Sequence, residues 1–214
     1  MNAHSLSIPM TQLAKNRAPR RWNAWQKVRN AIGGSVFAVA LAGCGGMPVE
    51  HYRAEKPALD LRQYFNGTLD GWGMFQKRSG EVVKRFHVVI DARWEGDTGV
   101  LDERFAWSDG STSRRVWTLK QTGDGRFIGT ADDVVGQATG EAAGNALRWT
   151  YVLALPVDGK TWHVDFDDWM FLIDDKVMLN RSVMSKWGFN LGEVTLSFTR
   201  RPPNQSNAGT PGGT

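Results

Sequence analysis

Between residues 60 and 201 apolar residues recur at every second position in run after run, and a turn signal breaks each run. Ser79-Gly80, Gly96-Asp97, Asp109-Gly110, Asp124-Gly125, Gly144-Asn145, Asp158-Gly159, Asp174-Asp175 and Trp187-Gly188 punctuate the chain. The segments between them are rich in Val, Phe, Trp, Thr and Leu. Phe86, Val88, Ile90, Ala92 and Trp94 share one phase, with His87, Asp91 and Arg93 in the other. Leu147, Trp149, Tyr151, Leu153 and Leu155 repeat the pattern against Arg148 and Thr150. A period of two at this turn spacing specifies antiparallel hairpins. It predicts about ten strands, at 67–77, 82–95, 98–108, 112–121, 125–131, 134–141, 145–156, 160–173, 176–186 and 190–200. The one helical candidate is short, near residues 60–65, and no crossover helix is present to support a parallel sheet. So many successive hairpin strands would expose edges unless the sheet closes. The expectation is an all-β, ten-stranded antiparallel up-and-down barrel, with a β-sandwich as the alternative.

Ahead of the strands lies a different kind of segment. Residues 31–43 read AIGGSVFAVALAG, uncharged and too short to span a bilayer, and a basic stretch precedes them. Leu41-Ala42-Gly43-Cys44 resembles the lipobox of bacterial lipoproteins. That resemblance implies a signal peptide over residues 1–43, cleavage before Cys44 and acylation of the Cys44 thiol. Two or more acyl chains anchor a protein stably. The partner expected first is therefore a membrane, reached through the N-terminal lipid. Gly45 stands where an Asp would resemble an inner-membrane retention signal, which favours the outer membrane facing the periplasm. Residues 44–59, with Gly45, Gly46, Pro48 and Pro57, read as a tether, and residues 202–214 as a disordered tail.

The net charge of +4 sits in the leader. Lys15, Arg17, Arg20, Arg21, Lys27 and Arg29 account for six of the 26 cations, and no acidic residue offsets them there. From Cys44 onward, twenty cations face all 22 acidic residues, a balance near −2. A nucleic-acid binder carries its positive charge on the folded part, so nucleic acid is not expected as a partner. Cys44 is the single cysteine, which excludes an intramolecular disulfide and a cysteine zinc cluster.

Several separated motifs occur together and in order. They are Gly71-Trp72-Gly73, Arg115-Val116-Trp117, the run 129–136 (GTADDVVG), Asp167-Asp168-Trp169-Met170, Asn180-Arg181-Ser182, Met184-Ser185-Lys186-Trp187-Gly188 and Gly192-Glu193-Val194-Thr195-Leu196. In these the chain resembles a bacterial lipoprotein family catalogued as domain of unknown function 3833, over about residues 60–200. The resemblance implies an envelope lipoprotein with a lipocalin-like (calycin-like) barrel, and it brings no established activity.

Candidate site residues follow from chemistry. Cys44 would be acylated, and no Gly-x-Ser-x-Gly elbow supplies another activated nucleophile. His51, His87 and His163 lack metal-ligand spacing. No catalytic residue, metal or cofactor is expected. The acidic cluster Asp165, Asp167 and Asp168 admits an enzyme reading: Asp165 and Asp167 share a face, and close carboxylates can raise one another's pKa. Cross-strand pairing with Arg181 or Lys186 is the simpler reading. Arg115, Arg181, Glu103 and Asp167 interrupt apolar runs, and an inward Arg could hold a fatty-acid carboxylate. Eight Trp follow Cys44, enough to line a cavity. The expected ligand-binding set is Trp117, Trp149, Trp162, Asp167, Trp169 and Arg181. The leading function is a membrane-anchored, non-enzymatic binder or carrier of a fatty-acyl or other apolar ligand. The alternatives are an enzyme acting on an envelope lipid through Asp165, Asp167 and Arg181, and a structural assembly lipoprotein.

Overall fold

Ten antiparallel strands close into one up-and-down barrel, as the alternation requires. The computed structural model describes residues 46–202 apart from residue 158. The leader, Cys44, Gly45 and residues 203–214 lie outside the described residues. The strands are β1 (Gly67–Lys77), β2 (Val82–Glu95), β3 (Thr98–Trp107), β4 (Thr112–Gly123), β5 (Arg126–Thr130), β6 (Ala138–Ala143), β7 (Ala146–Val157), β8 (Lys160–Leu172), β9 (Val177–Lys186) and β10 (Phe189–Arg200). Each pairs with its sequence neighbours. β1 meets β10 over Leu69↔Arg200 to Lys77↔Gly192, which removes the last free edge. The sandwich alternative is thereby excluded.

The inward phase is the one the sequence marks. Phe86, Val88, Ile90 and Ala92 of β2 are buried, as are Leu147, Trp149 and Leu153 of β7. One strand starts later than expected. Residues 131–137 form a connection in which only Val134 bridges to Leu153, and β6 begins at Ala138. Gly136, at φ 72°, turns the chain there.

One end of the barrel is closed by a single helical turn, α1 (Leu61–Tyr64). The Asp60 carboxylate caps it, accepting from the Arg62 and Gln63 amides at 2.9 and 3.1 Å. Leu61, Tyr64 and Phe65 are buried there. The Tyr64 hydroxyl donates to the carbonyls of Lys176 and Phe198, and the Trp94 indole donates to the Phe65 carbonyl at 2.8 Å.

The stretch expected as a tether is docked from Val49 onward. A 3₁₀ turn, η1 (Val49–Tyr52), buries Val49 beside Ala143 and Ala146 on the outer wall. Tyr52 packs edge-on to Trp169 and Phe171, at centroid distances of 5.9 and 5.1 Å. Gly144, at φ 56° in the β6–β7 turn, makes this contact possible: a Cβ there would lie 1.6 Å from the Tyr52 carbonyl oxygen. The amide of Leu59 donates to the Gly144 carbonyl at 2.7 Å, so η1 is held at the same end as α1.

Candidate functional site

The barrel encloses a cavity of about 630 Å³, within the range of small-molecule sites. Its floor is Leu61 and Phe65 beside α1. Its walls are apolar: Phe86, Val88, Phe105, Trp117, Trp149, Leu153, Phe166, Met184 and Leu196 among others. Trp107, Ser111 and Pro156 border it at the opposite end, where the β3–β4 turn and the end of β7 lie. That end also carries exposed apolar side chains, with Val82, Val83, Val157, Trp187 and Phe189 all at least 44% exposed.

Polar groups gather partway along this interior. Glu103 on β3 stands opposite Arg115 on β4. The Arg115 guanidinium donates to both carboxylate oxygens of Asp133, at 2.7–3.0 Å. Asp133 comes from the 131–137 connection, so the late start of β6 is what brings it in. Asp168 on β8 is 7% exposed and accepts from the Ser182 hydroxyl of β9 and, at 3.5 Å, from Tyr151 of β7.

Burial pushes the Glu103 carboxyl up to about 7; Arg115 opposes the shift, and Asp133 and Asp168 add to it. Burial likewise pushes Asp168 up to about 7, against the Ser182 hydrogen bond and Arg115. Tyr151 is held well above its ordinary range by burial and by Asp168. For Arg115 burial works against the charge, but the Asp133 hydrogen bonds and the Glu103 charge outweigh it, and its pKa is raised.

A pH dependence of stability follows. Both carboxyls hold protons in the folded state that the unfolded chain releases near the ordinary values of 4.5 and 3.8. Stability from the neutral forms is therefore complete below those values and is lost as pH rises through about 7. Urea unfolding is expected to show a loss of about 2 kcal/mol between roughly pH 5 and 8, below the roughly 3 kcal/mol that the full Glu103 shift and the roughly 4 kcal/mol that the full Asp168 shift would give. Glu103→Gln should flatten the slope by about half. A curve that rises over this window would refute the assignment.

Of the six residues expected to bind a ligand, Trp117 and Trp149 line the cavity and pack edge-on at 5.7 Å. The other four do not. Trp162 keeps the inward phase but sits near the start of β8, 39% exposed beside Lys186 and outside the cavity lining. Asp167 faces outward and accepts from Arg148 of β7 at 2.8 and 2.9 Å; its partner is neither Arg181 nor Lys186. Trp169 also faces outward, under Tyr52 and Arg148. Arg181 pairs on the outer wall with Glu193, at 2.6 and 2.9 Å. Asp165, Asp167 and Arg181 therefore do not converge on a cleft, and the enzyme alternative loses its site. Of the four polar residues noted in apolar runs, Arg115 and Glu103 face the cavity, while Arg181 and Asp167 do not. Asp133, Tyr151 and Ser182 were not anticipated as site residues. Asp168 was expected only on the face opposite Asp165 and Asp167, where it is found.

The chain matches no curated protein. Solved structures resemble it, three of them as follows. A de novo designed fluorescence-activating β-barrel is 12% identical over 67% of this chain and 99% of its own, with a TM-score of 0.38. The S-type phycobiliprotein lyase CPES from Guillardia theta is 6% identical over 67% of this chain and 94% of its own, with a TM-score of 0.49. A protein of unknown function from the DUF3598 family of Nostoc punctiforme PCC 73102 is 13% identical over 73% of this chain and 53% of its own, with a TM-score of 0.43. A sequence model of the family described as protein of unknown function (DUF3833) matches residues 38–200. That match runs across every strand of the barrel, and the chain belongs to the DUF3833 family.

Proposed function

We propose that this protein is a non-enzymatic binder of an apolar ligand, fixed to a bacterial envelope membrane through lipid on Cys44. The cavity carries the reading. A space of about 630 Å³ lined by Phe, Trp, Leu and Met side chains would be costly to leave to water. Exposed Val82, Val83, Val157, Trp187 and Phe189 at the open end give an apolar molecule a path in. The lipobox-like LAGC at 41–44 supports the anchor, and the outer membrane facing the periplasm is the proposed location.

Among the described residues every buried core residue lies between Val49 and Phe198, so a chain starting at Cys44, with Cys44→Ser, keeps the whole barrel. Titrating it with the neutral dye N-phenyl-1-naphthylamine should enhance dye emission and quench Trp117 and Trp149, saturating at one dye per barrel. Leu196→Trp, which narrows the cavity, should weaken the response. An unchanged response in that variant would place binding elsewhere. For the anchor, mass spectrometry of the protein from cells should find an acylated Cys44 as first residue, and an unprocessed Met1 would overturn it.

A further inference from the structure

The charges around the cavity are not balanced by the protein alone. Three cations border it, and each already has a carboxylate partner. Lys84 pairs with Asp109 at 2.8 Å, Arg114 with Asp102 at 2.8 Å and Arg115 with Asp133 at 2.7 Å. Glu103 and Asp168 also line the cavity, and among the described residues neither has a cation within ion-pair distance. Asp168 is held only by hydroxyl donors, Ser182 and Tyr151. The interior therefore offers two carboxyls held by neutral donors, Trp117 for Glu103 and hydroxyls for Asp168, with no cation paired to either, and it has no guanidinium free to receive an anion.

Resting on the reading of the barrel as a binder, we infer that the cavity selects an apolar chain ending in a protonated amine over one ending in a carboxylate. The ammonium group brings three N–H donors and a positive charge to the Glu103 and Asp168 carboxyls. A fatty-acid carboxylate entering the same place would meet two carboxyls and a guanidinium already forked onto Asp133. It would have to break the Arg115–Asp133 pair or be buried beside like charge, and both are costly. This reverses the expectation that an inward Arg holds a fatty-acid head. A neutral alcohol supplies one donor without charge and should fall between the two. At pH 8 Glu103 and Asp168, at about 7, are mostly ionised, so the preference should be widest there.

The experiment uses the chain from Cys44 onward with Cys44→Ser, loaded with N-phenyl-1-naphthylamine at pH 8. Dodecylamine, dodecanol and dodecanoate, each below its micelle concentration, compete for the site. The amine is expected to displace the dye at about tenfold lower concentration than the carboxylate, about 1.4 kcal/mol. The alcohol should lie between. Glu103→Gln and Asp168→Asn, made singly, should each reduce the amine advantage severalfold, read as the ratio of dodecylamine to dodecanoate competition within each variant. Asp168→Asn keeps an oxygen acceptor for Ser182, and its amide can donate to the Tyr151 hydroxyl oxygen, so it should fold. Equal competition by all three, or a stronger effect of dodecanoate, would overturn the inference and leave the binder reading standing. Failure of the dye itself to bind would overturn both.

Discussion

Trp149→Ala is expected to lower the unfolding free energy by about 4 kcal/mol, at the upper end of what a single side chain contributes. The indole is 5% exposed and lies across the barrel wall rather than pointing at one neighbour. Its ring covers Gly140 of β6 and Gly129 of β5: a Cβ on Gly140 would sit 2.3 Å from it, and one on Gly129 2.6 Å. Trp117 meets its face edge-on. Truncation would leave a void bounded by two residues without side chains, which cannot collapse into it. The same geometry predicts a change of sign. Gly140→Ala should destabilise the native protein by pressing on the indole, yet stabilise the Trp149→Ala background by filling part of the void. Guanidinium unfolding of the two single variants and the double variant forms a cycle. If Gly140→Ala is equally harmful in both backgrounds, the ring does not rest on that glycine.

Arg115→Met should cost about 3 kcal/mol at pH 8 and less than half of that at pH 5. Met keeps the length and apolar bulk, so the change is chiefly electrostatic. The variant leaves Glu103 and Asp168 buried with no cation nearby, and removes the two-pronged partner of Asp133. Losing one member of a buried pair typically costs about 3–5 kcal/mol. The lower figure applies because the Asp133 side chain is 40% exposed and can be rehydrated. Acidification protonates Glu103 and Asp168, which removes most of the charge that Arg115 was offsetting. The stability difference between native and variant, followed from pH 8 to pH 5, should therefore shrink. A constant difference would mean that Arg115 acts through Asp133 and packing, and not by offsetting Glu103 and Asp168.

These predictions draw on groups that differ in how visible they are in the sequence. The strands were legible because hairpins joined by Gly and Asp turns leave a period of two with little else competing. The inward polar residues carried the same signal. Glu103 is in phase with Leu101, Phe105 and Trp107; Arg115 with Trp117 and Leu119; Asp168 with Phe166, Met170 and Leu172. A charged residue in the apolar phase of a closing strand is a cavity residue by position. Asp167 and Arg181 fall in the opposite phase of their strands and belong outside. Trp169 misled for a physical reason: β8 is apolar on both faces, because its outer Trp169 and Phe171 lie under Tyr52. That cover comes from a segment more than a hundred residues earlier in the chain, and no local pattern announces it. Asp133 was hidden differently. It lies in a connection without periodicity, and only the closure of the barrel decides what a loop carboxylate can reach.

The docking of Val49 has a bearing on how cargo would travel. Only residues 45–48 separate it from Cys44, a leash of at most about 18 Å when fully extended. With the thiol acylated as proposed, the plugged foot of the molecule would stand on the bilayer and its open rim would point into the surrounding compartment. Loading and unloading would then go by hand-off to another macromolecule or an opposing surface, and not by seepage from the leaflet that holds the lipid.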